Sequence, residues 1–340
     1  MPSLCCPECF RDRGLTKSII PALSKVRGKC SFCETDDMNL VEPEDLREYF
    51  QLLINIYEPN PIGRFLVEWL KDDWHLFTHP RMDLANAKEL LSEILNDGDI
   101  VQKPFAPSPS YRSEALIRWE TLREELLYKN RFFLDEALDT DRLTELLGHL
   151  PADDLPKKWY RARIQAGADP FLIGAMGAPP KRLASYGRAN PAGIPYLYLG
   201  STQETAASEI RPHTGEIVCI ADFAISGTIN VVDLRNPRYV VSPFLLLDEG
   251  AIGQLRADIN FLEKLGNELT QPVLPQGAAI DYLPSQYLCE FIKKSDYDGV
   301  IYRSSVSNGI NLALFDPTKA IGGSVQQFSV SRVLVEVAAI

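Results

Sequence analysis

Two Cys-x-x-Cys turns, Cys6-Pro-Glu-Cys9 and Cys30-Ser-Phe-Cys33, stand twenty residues apart near the start of the 340-residue chain. No other feature limits the fold as tightly. Each turn presents two thiolates on one side, and two turns complete a tetrahedral four-sulfur site. A segment of this size has too little apolar mass to fold alone, so a structural zinc ion is expected to supply the folding energy. With four protein ligands, no coordination position stays open for catalysis. Disulfides are the alternative, disfavoured in a reducing compartment. Cys5 adjoins Cys6, but Cys6 has the better spacing. Cys219 and Cys289 stand alone in apolar surroundings and read as small buried hydrophobes.

Between the turns lie Arg11, Arg13, Lys17, Lys25, Arg27 and Lys29, a basic island on a chain of net charge −11. This loop is a candidate contact for nucleic acid or an acidic partner, against the plainer reading of a solvated face. The acidic balance argues against nucleic-acid binding by the whole surface. No apolar run reaches the length of about eighteen residues that a membrane span requires. MPSLCCPECF lacks a charged region followed by an apolar one, so no signal peptide is evident and a cytoplasmic location is expected.

From 43 to 150 the apolar residues recur at helical spacing. Leu46, Tyr49, Phe50, Leu53 and Tyr57 form one stripe, and Ile62, Phe65, Leu66, Trp69 and Leu70 a second. Further stripes run through Leu84, Leu91, Ile94 and Leu95, through Ala115, Trp119, Leu122 and Leu126, and through Leu143, Leu146, Leu147 and Leu150. Prolines at 59, 61, 80 and 104–109 break the pattern, which predicts an all-α segment of five helices with aromatic stripes in its core. Arg142 and His149 fit the Arg-x(4–6)-His pattern of HEPN ribonucleases, a spacing that chance supplies about once in such a chain. His149 reads first as a helix C-terminal residue favoured by the dipole, ahead of a ribonuclease role.

A polar, proline-bounded linker at 151–156 precedes Trp159-Tyr160-Arg161-Ala162-Arg163-Ile164, a predicted strand with both arginines on one face. Further strands are predicted at 217–223, 229–234, 299–302 and 311–315, and helices at 244–266 and 284–294. The mixture implies an α+β domain. Neither a GxGxxG after a strand nor a GxxxxGK[ST] occurs, so a Rossmann or P-loop site is not supported. The boundaries that follow are 1–40 for the zinc ribbon, 41–150 for the helical segment and 151–340 for the α+β domain.

Within this domain, residues 186–213 read YGRANPAGIPYLYLGSTQETAASEIRPH. Gly, Asn and Pro make 187–195 a turn-rich loop whose backbone can come near a ligand. PYLYLG reads as a short strand, and 202–210 as a helix capped by Ser201 or Thr202. Successive elements thus deliver Arg188, Tyr198 and Glu209. A cation and a carboxylate so placed suit a phosphate and a developing positive charge; by spacing alone the plainer reading leads, with Arg188 in a surface ion pair, Tyr198 in the core and Glu209 a solvated helix residue.

GRANPAG around Arg188, LYLG around Tyr198, AASEIRP around Glu209 and YDGVIYRSSVSNGINLALFDP around Ser304 resemble the RES domain family, named for Arg, Glu and Ser. The resemblance runs from about Trp159 to the C-terminus, and its motifs fall in the family's order. One departure is that the family's Pro-Ser reads Arg303-Ser304 here, with Ser305 as the alternate serine. A zinc ribbon followed by a helical segment resembles the HEPN/RES N-terminal region. The family's likeness to ADP-ribosyltransferase toxins implies that fold, NAD as a substrate rather than a cofactor, and cleavage of the bond between nicotinamide and ribose.

On that resemblance Arg188 would clamp the pyrophosphate, Tyr198 stack on nicotinamide or orient the ribose, Glu209 stabilise the oxocarbenium ion, and Ser304 fix ribose or phosphate. Arg161, Arg163, Asn190, Ser305 and Asn311 are the substrate-binding candidates. Water as acceptor gives an NAD glycohydrolase, phosphate an NAD phosphorylase, and a macromolecule an ADP-ribosyltransferase. The resemblance also implies a toxin restrained by an antitoxin or regulatory protein. The competing readings are a HEPN ribonuclease with an accessory RES domain and a zinc-ribbon binding protein whose RES-like domain is inactive.

Overall fold

The computed structural model describes residues 3–274 and 276–334. Two compact units divide the chain: Met1–Ile117 with Asn236–Leu262, and Arg118–Arg235 with Glu263–Ile340.

The first unit begins with the two cysteine turns, the short helix α1 (Ile20–Leu23) and a hairpin of β1 (Val26–Gly28) and β2 (Met38–Leu40). Helix α2 (Arg47–Ile54) buries Phe50, Leu53 and Ile54. Phe50 packs on Phe10 beside the first cysteine turn, with ring centres 5.5 Å apart, and on Phe244 at 4.9 Å. The second predicted stripe is only half helix. Tyr57–Phe65 forms strand β3, and the helix α3 starts at Leu66 and ends at Trp74. After α4 (Leu84–Leu95), capped by Asp83 and closed by left-handed Asn96, the strand β4 (Pro104–Pro107) pairs antiparallel with β3. Pro59, Pro61, Pro104 and Pro107, expected to be mere helix breaks, lie inside this ribbon, so the all-α expectation is corrected by a two-stranded sheet, while each of the five predicted stripes still contributes a helix.

Helix α5 (Ala115–Tyr128) carries the boundary between the units and leads to α6 (Thr140–Gly148). Seven strands then build the second unit's sheet. β5 (Trp159–Ile164), β6 (Leu197–Gly200), helix α7 (Gln203–Glu209), β7 (Ile217–Ile225) and β8 (Val231–Asp233) come first. The chain makes α8 (Pro237–Val240) and α9 (Glu249–Thr270), the second helix to carry the boundary. It closes with α10 (Ala278–Asp281), α11 (Leu283–Lys294), β9 (Gly299–Arg303), β10 (Ile310–Leu314) and β11 (Ala320–Ser329). The order is β11-β7-β5-β6-β10-β9-β8, parallel only between β8 and β9. Trp159, Leu197, Leu199, Phe223, Ile301, Leu312 and Leu314 form its main core.

β11 was not anticipated: Gly322, Gly323 and Ser324 interrupt any alternation, and a register shift falls between Gly322 and Val325. Asp222 accepts from the backbone N–H and hydroxyl of Ser324 and holds that irregularity in place. The α+β architecture of the C-terminal region agrees with the sequence reading.

Candidate functional site

Thr202 caps α7 by accepting from the Thr205 N–H at 3.0 Å, and the helix ends at Glu209. Across the sheet, Ser304 follows β9 immediately and Asn311 lies on β10. The Ser304 hydroxyl donates to Glu209 Oε1 at 2.7 Å, and Asn311 Nδ2 donates to the same oxygen at 2.6 Å. Both donors are buried, whereas Glu209 itself is exposed. Oε2 accepts no hydrogen bond among the described residues. The carboxylate is therefore held through one oxygen and presents the other to a cavity of about 440 Å³. That size suits a small-molecule ligand.

The loop carrying Arg188 has an internal frame. The Tyr198 hydroxyl accepts from the Ala189 N–H at 2.9 Å and donates to Asn190 Oδ1 at 2.6 Å. Asn190 Nδ2 donates to the carbonyls of Ser185 and Pro191, and Ser285 and Gln286 on α11 donate to the carbonyls of Arg188 and Gly187. A Cβ at Gly187 would lie 2.5 Å from Asn190 Oδ1 and 2.6 Å from the Tyr198 oxygen, so only glycine permits this approach. The frame aims Arg188 at the cavity, where Nη1 donates to the Gln271 carbonyl at 2.7 Å and the guanidinium lies 5.1 Å from the Tyr282 ring centre.

Arg161 lines the same cavity from β5. Its Nη1 is buried without a hydrogen-bond partner. Burial lowers its pKa to about 10, with Arg163 adding to the effect and Tyr198 opposing it. It is still a cation at neutral pH, and a buried cationic donor with no acceptor is what an anionic ligand would satisfy.

The structure thus brings Arg161, Arg188, Tyr198, Glu209, Ser305 and Asn311 to one cavity, with Ser304 bonded to Glu209 beneath it. Two candidates are placed elsewhere. Asn190 is 4% exposed and its side chain serves the loop. Arg163 lies 5.8 Å from the Phe171 ring centre, so of the two β5 arginines Arg161 is the one at the cavity. Arg211, Val273, Tyr282 and Tyr302 also line it and were not singled out from the sequence. Arg211 and Tyr302 stand inside or beside quoted motifs; Val273 and Tyr282 carry no motif signal at all.

Arg142 pairs with Glu145 on α6 at 2.7 Å, and the His149 N–H caps that helix. Burial lowers the His149 pKa, Arg142 adds to this and Glu145 opposes it. Neither residue lines the cavity of Glu209.

In the first unit, Cys6, Cys9, Cys30 and Cys33 are buried with their sulfurs within 4.8 Å of one another. Cys6 and Cys33 are 3.4 Å apart, as are Cys9 and Cys30. A tetrahedral zinc–thiolate site has sulfur–sulfur edges of about 3.8 Å for a Zn–S bond of about 2.3 Å. The set fits a four-coordinate metal ion, with Cys6 in the cluster and Cys5 outside it, bridged to Val41 through its backbone. Within the basic island between the turns, Arg11 pairs with Glu8, Arg27 with Asp37, and Lys29 with Glu34.

Among curated proteins none matches the chain. One solved structure, titled "Crystal structure of the M.tuberculosis MbcT-MbcA toxin-antitoxin complex", aligns at 14% identity over 56% of this chain and 93% of that one. Its TM-score is 0.32, a likeness too low to carry an argument. The RES domain model matches residues 158–331, just over half of the chain and the whole of the Glu209 cavity. Sheet, loop, α7 and the Ser304 turn all fall within that match, and the chain belongs to the RES domain family.

Proposed function

We propose that the chain consumes NAD by cleaving the N-glycosidic bond between nicotinamide and ribose. The observation that carries this reading is Glu209, held by two buried donors on one oxygen and open on the other, in a cavity that also holds the unpartnered Nη1 of Arg161. Nicotinamide leaves as a neutral molecule from a cationic base, so no general acid is required, unlike O-glycoside hydrolysis with its paired carboxylates. What needs stabilising is the ribosyl cation, and a fixed carboxylate facing it supplies that. Ser304 and Asn311 hold that carboxylate in place and take no part in proton transfer. Arg161 and Arg188 supply cationic donors for the two phosphates. Tyr198 frames the Arg188 loop from below. Water or inorganic phosphate takes the ribosyl group, giving a glycohydrolase or a phosphorylase; a macromolecular acceptor would make it an ADP-ribosyltransferase.

The four-cysteine cluster suits structural zinc in this reading. An enzyme that drains NAD also calls for restraint, for which an antitoxin-like protein covering the exposed Glu209 is the simplest device. The test incubates wild type and Glu209→Gln with NAD, with and without phosphate, and reads products by mass spectrometry. ADP-ribose or its 1″-phosphate from wild type alone supports the reading and identifies the acceptor. Intact NAD in every tube, with the protein folded and metal-loaded, refutes it.

A further inference from the structure

Tyr198 and Tyr302 both stand at this cavity, and they differ in what their hydroxyls have left to offer. Tyr198, the tyrosine of the strand motif, donates its one hydroxyl hydrogen to Asn190 and accepts from Ala189. It has no donor to spare for a ligand. Tyr302 lies on β9 opposite Asn311 on β10, so the two side chains leave the sheet on the same face. Asn311 is one of the two residues that hold Glu209.

Tyr302 is 4% exposed, and its hydroxyl has no hydrogen-bond partner among the described residues. The hydroxyl is not sealed from solvent: it reaches the cavity with its hydrogen uncommitted, a donor left for a ligand. Burial holds its pKa well above the usual phenol range; Glu209 and Tyr198 add to this and Arg188 opposes it. The group is therefore a protonated donor at any physiological pH, within electrostatic reach of both Glu209 and Arg188.

The order of groups along NAD then assigns its contact. On the reading above, Glu209 faces the ribose carbon that loses nicotinamide and Arg188 faces the phosphates. What lies between those two points is the nicotinamide-side ribose. We propose that Tyr302, rather than Tyr198, is the phenol that touches the substrate, its hydroxyl donating to a hydroxyl oxygen of that ribose. This rests on the NAD reading and adds to it a substrate-contacting residue that stands inside a quoted motif but was not singled out from the sequence. Tyr198 is then a positioning residue for the Arg188 loop.

The experiment compares wild type, Tyr302→Phe and Tyr198→Phe for kcat, KM and thermal midpoint. NAD is assayed beside two analogues, each lacking one hydroxyl of the nicotinamide-side ribose. Tyr302→Phe should keep or raise the midpoint, because the oxygen removed has no partner, while kcat/KM for NAD falls about tenfold, the weight of one hydrogen bond. On the analogue lacking the contacted hydroxyl, wild type and Tyr302→Phe should turn over alike. Tyr198→Phe should instead lower the midpoint, since it breaks two bonds inside the loop. A Tyr302→Phe enzyme with wild-type kcat and KM overturns this assignment alone, as does a tenfold deficit that persists on both analogues. A wild type that leaves NAD intact overturns the NAD reading and the assignment together.

Discussion

Removing the donors that hold Glu209 tests whether orientation of this carboxylate limits turnover. Ser304 Oγ and Asn311 Nδ2 reach the same oxygen at 2.7 and 2.6 Å. A hydrogen bond to a charged group contributes about 1.5–3 kcal/mol. Glu209 is exposed, so water competes for that oxygen, and each donor is expected to contribute only about 1 kcal/mol. That corresponds to a loss of roughly fivefold in kcat for Ser304→Ala or Asn311→Ala. The two losses should not multiply. Once either donor is gone the carboxylate can swing, and the remaining donor holds it less well. The double variant should therefore fall short of the combined loss by at least about 0.5 kcal/mol, as expected for groups sharing one partner.

The assay is steady-state NAD turnover by the four proteins of this cycle, with thermal midpoints measured beside it. The midpoints matter because the Ser304 hydroxyl also accepts from the Val306 N–H at 3.2 Å and so supports its own turn. Asn311→Asp is the sharper control, since it puts a second carboxylate against Glu209 and should lose far more than Asn311→Ala. Losses that add to within about 0.3 kcal/mol would refute the shared-oxygen argument. Wild-type kcat in either single variant would refute the claim that this carboxylate must be held at all.

Arg161→Met should abolish NAD binding while raising the thermal midpoint of the free protein, by the equivalent of about 1–3 kcal/mol, because it removes a buried donor without a partner. The guanidinium keeps its charge in both folded and unfolded chains, so its burial cost does not change with pH. The variant's advantage in denaturant melts should therefore be constant from pH 6 to about 9; an advantage that changes with pH across that range would contradict this. Chelation should release one metal ion per chain, make Cys6, Cys9, Cys30 and Cys33 reactive toward a thiol reagent, and lower the melting point of the protein. Thiols that stay unreactive after complete metal release would contradict a metal-held segment.

Residues that act through local chemistry were readable from the sequence. The Cys-x-x-Cys spacing predicts a four-thiol cluster, and the four sulfurs do meet. A Thr cap followed by small residues predicts the helix that ends at Glu209, and alternating Trp159–Ile164 predicts β5. These signals extend over a turn or two of chain, where backbone preference and burial period act directly. β3 and β4 escaped because their partners lie about forty to fifty residues apart and their prolines read as breaks. The return of Asn236–Leu262 to the first unit has no local signature either.

The candidate site divides along the same line. Arg188, Tyr198, Glu209 and Ser304 are marked by motif, and their types suit a phosphate, a loop and a cation. Which tyrosine keeps a free hydroxyl, which arginine of β5 reaches the cavity, and which oxygen of Glu209 stays open are decided by the pairing of β5, β6, β9 and β10. Residue identity sets what a side chain can donate or accept. Only the tertiary structure, by bringing partners together from distant segments, decides which of those capacities are already spent and which are left for a substrate.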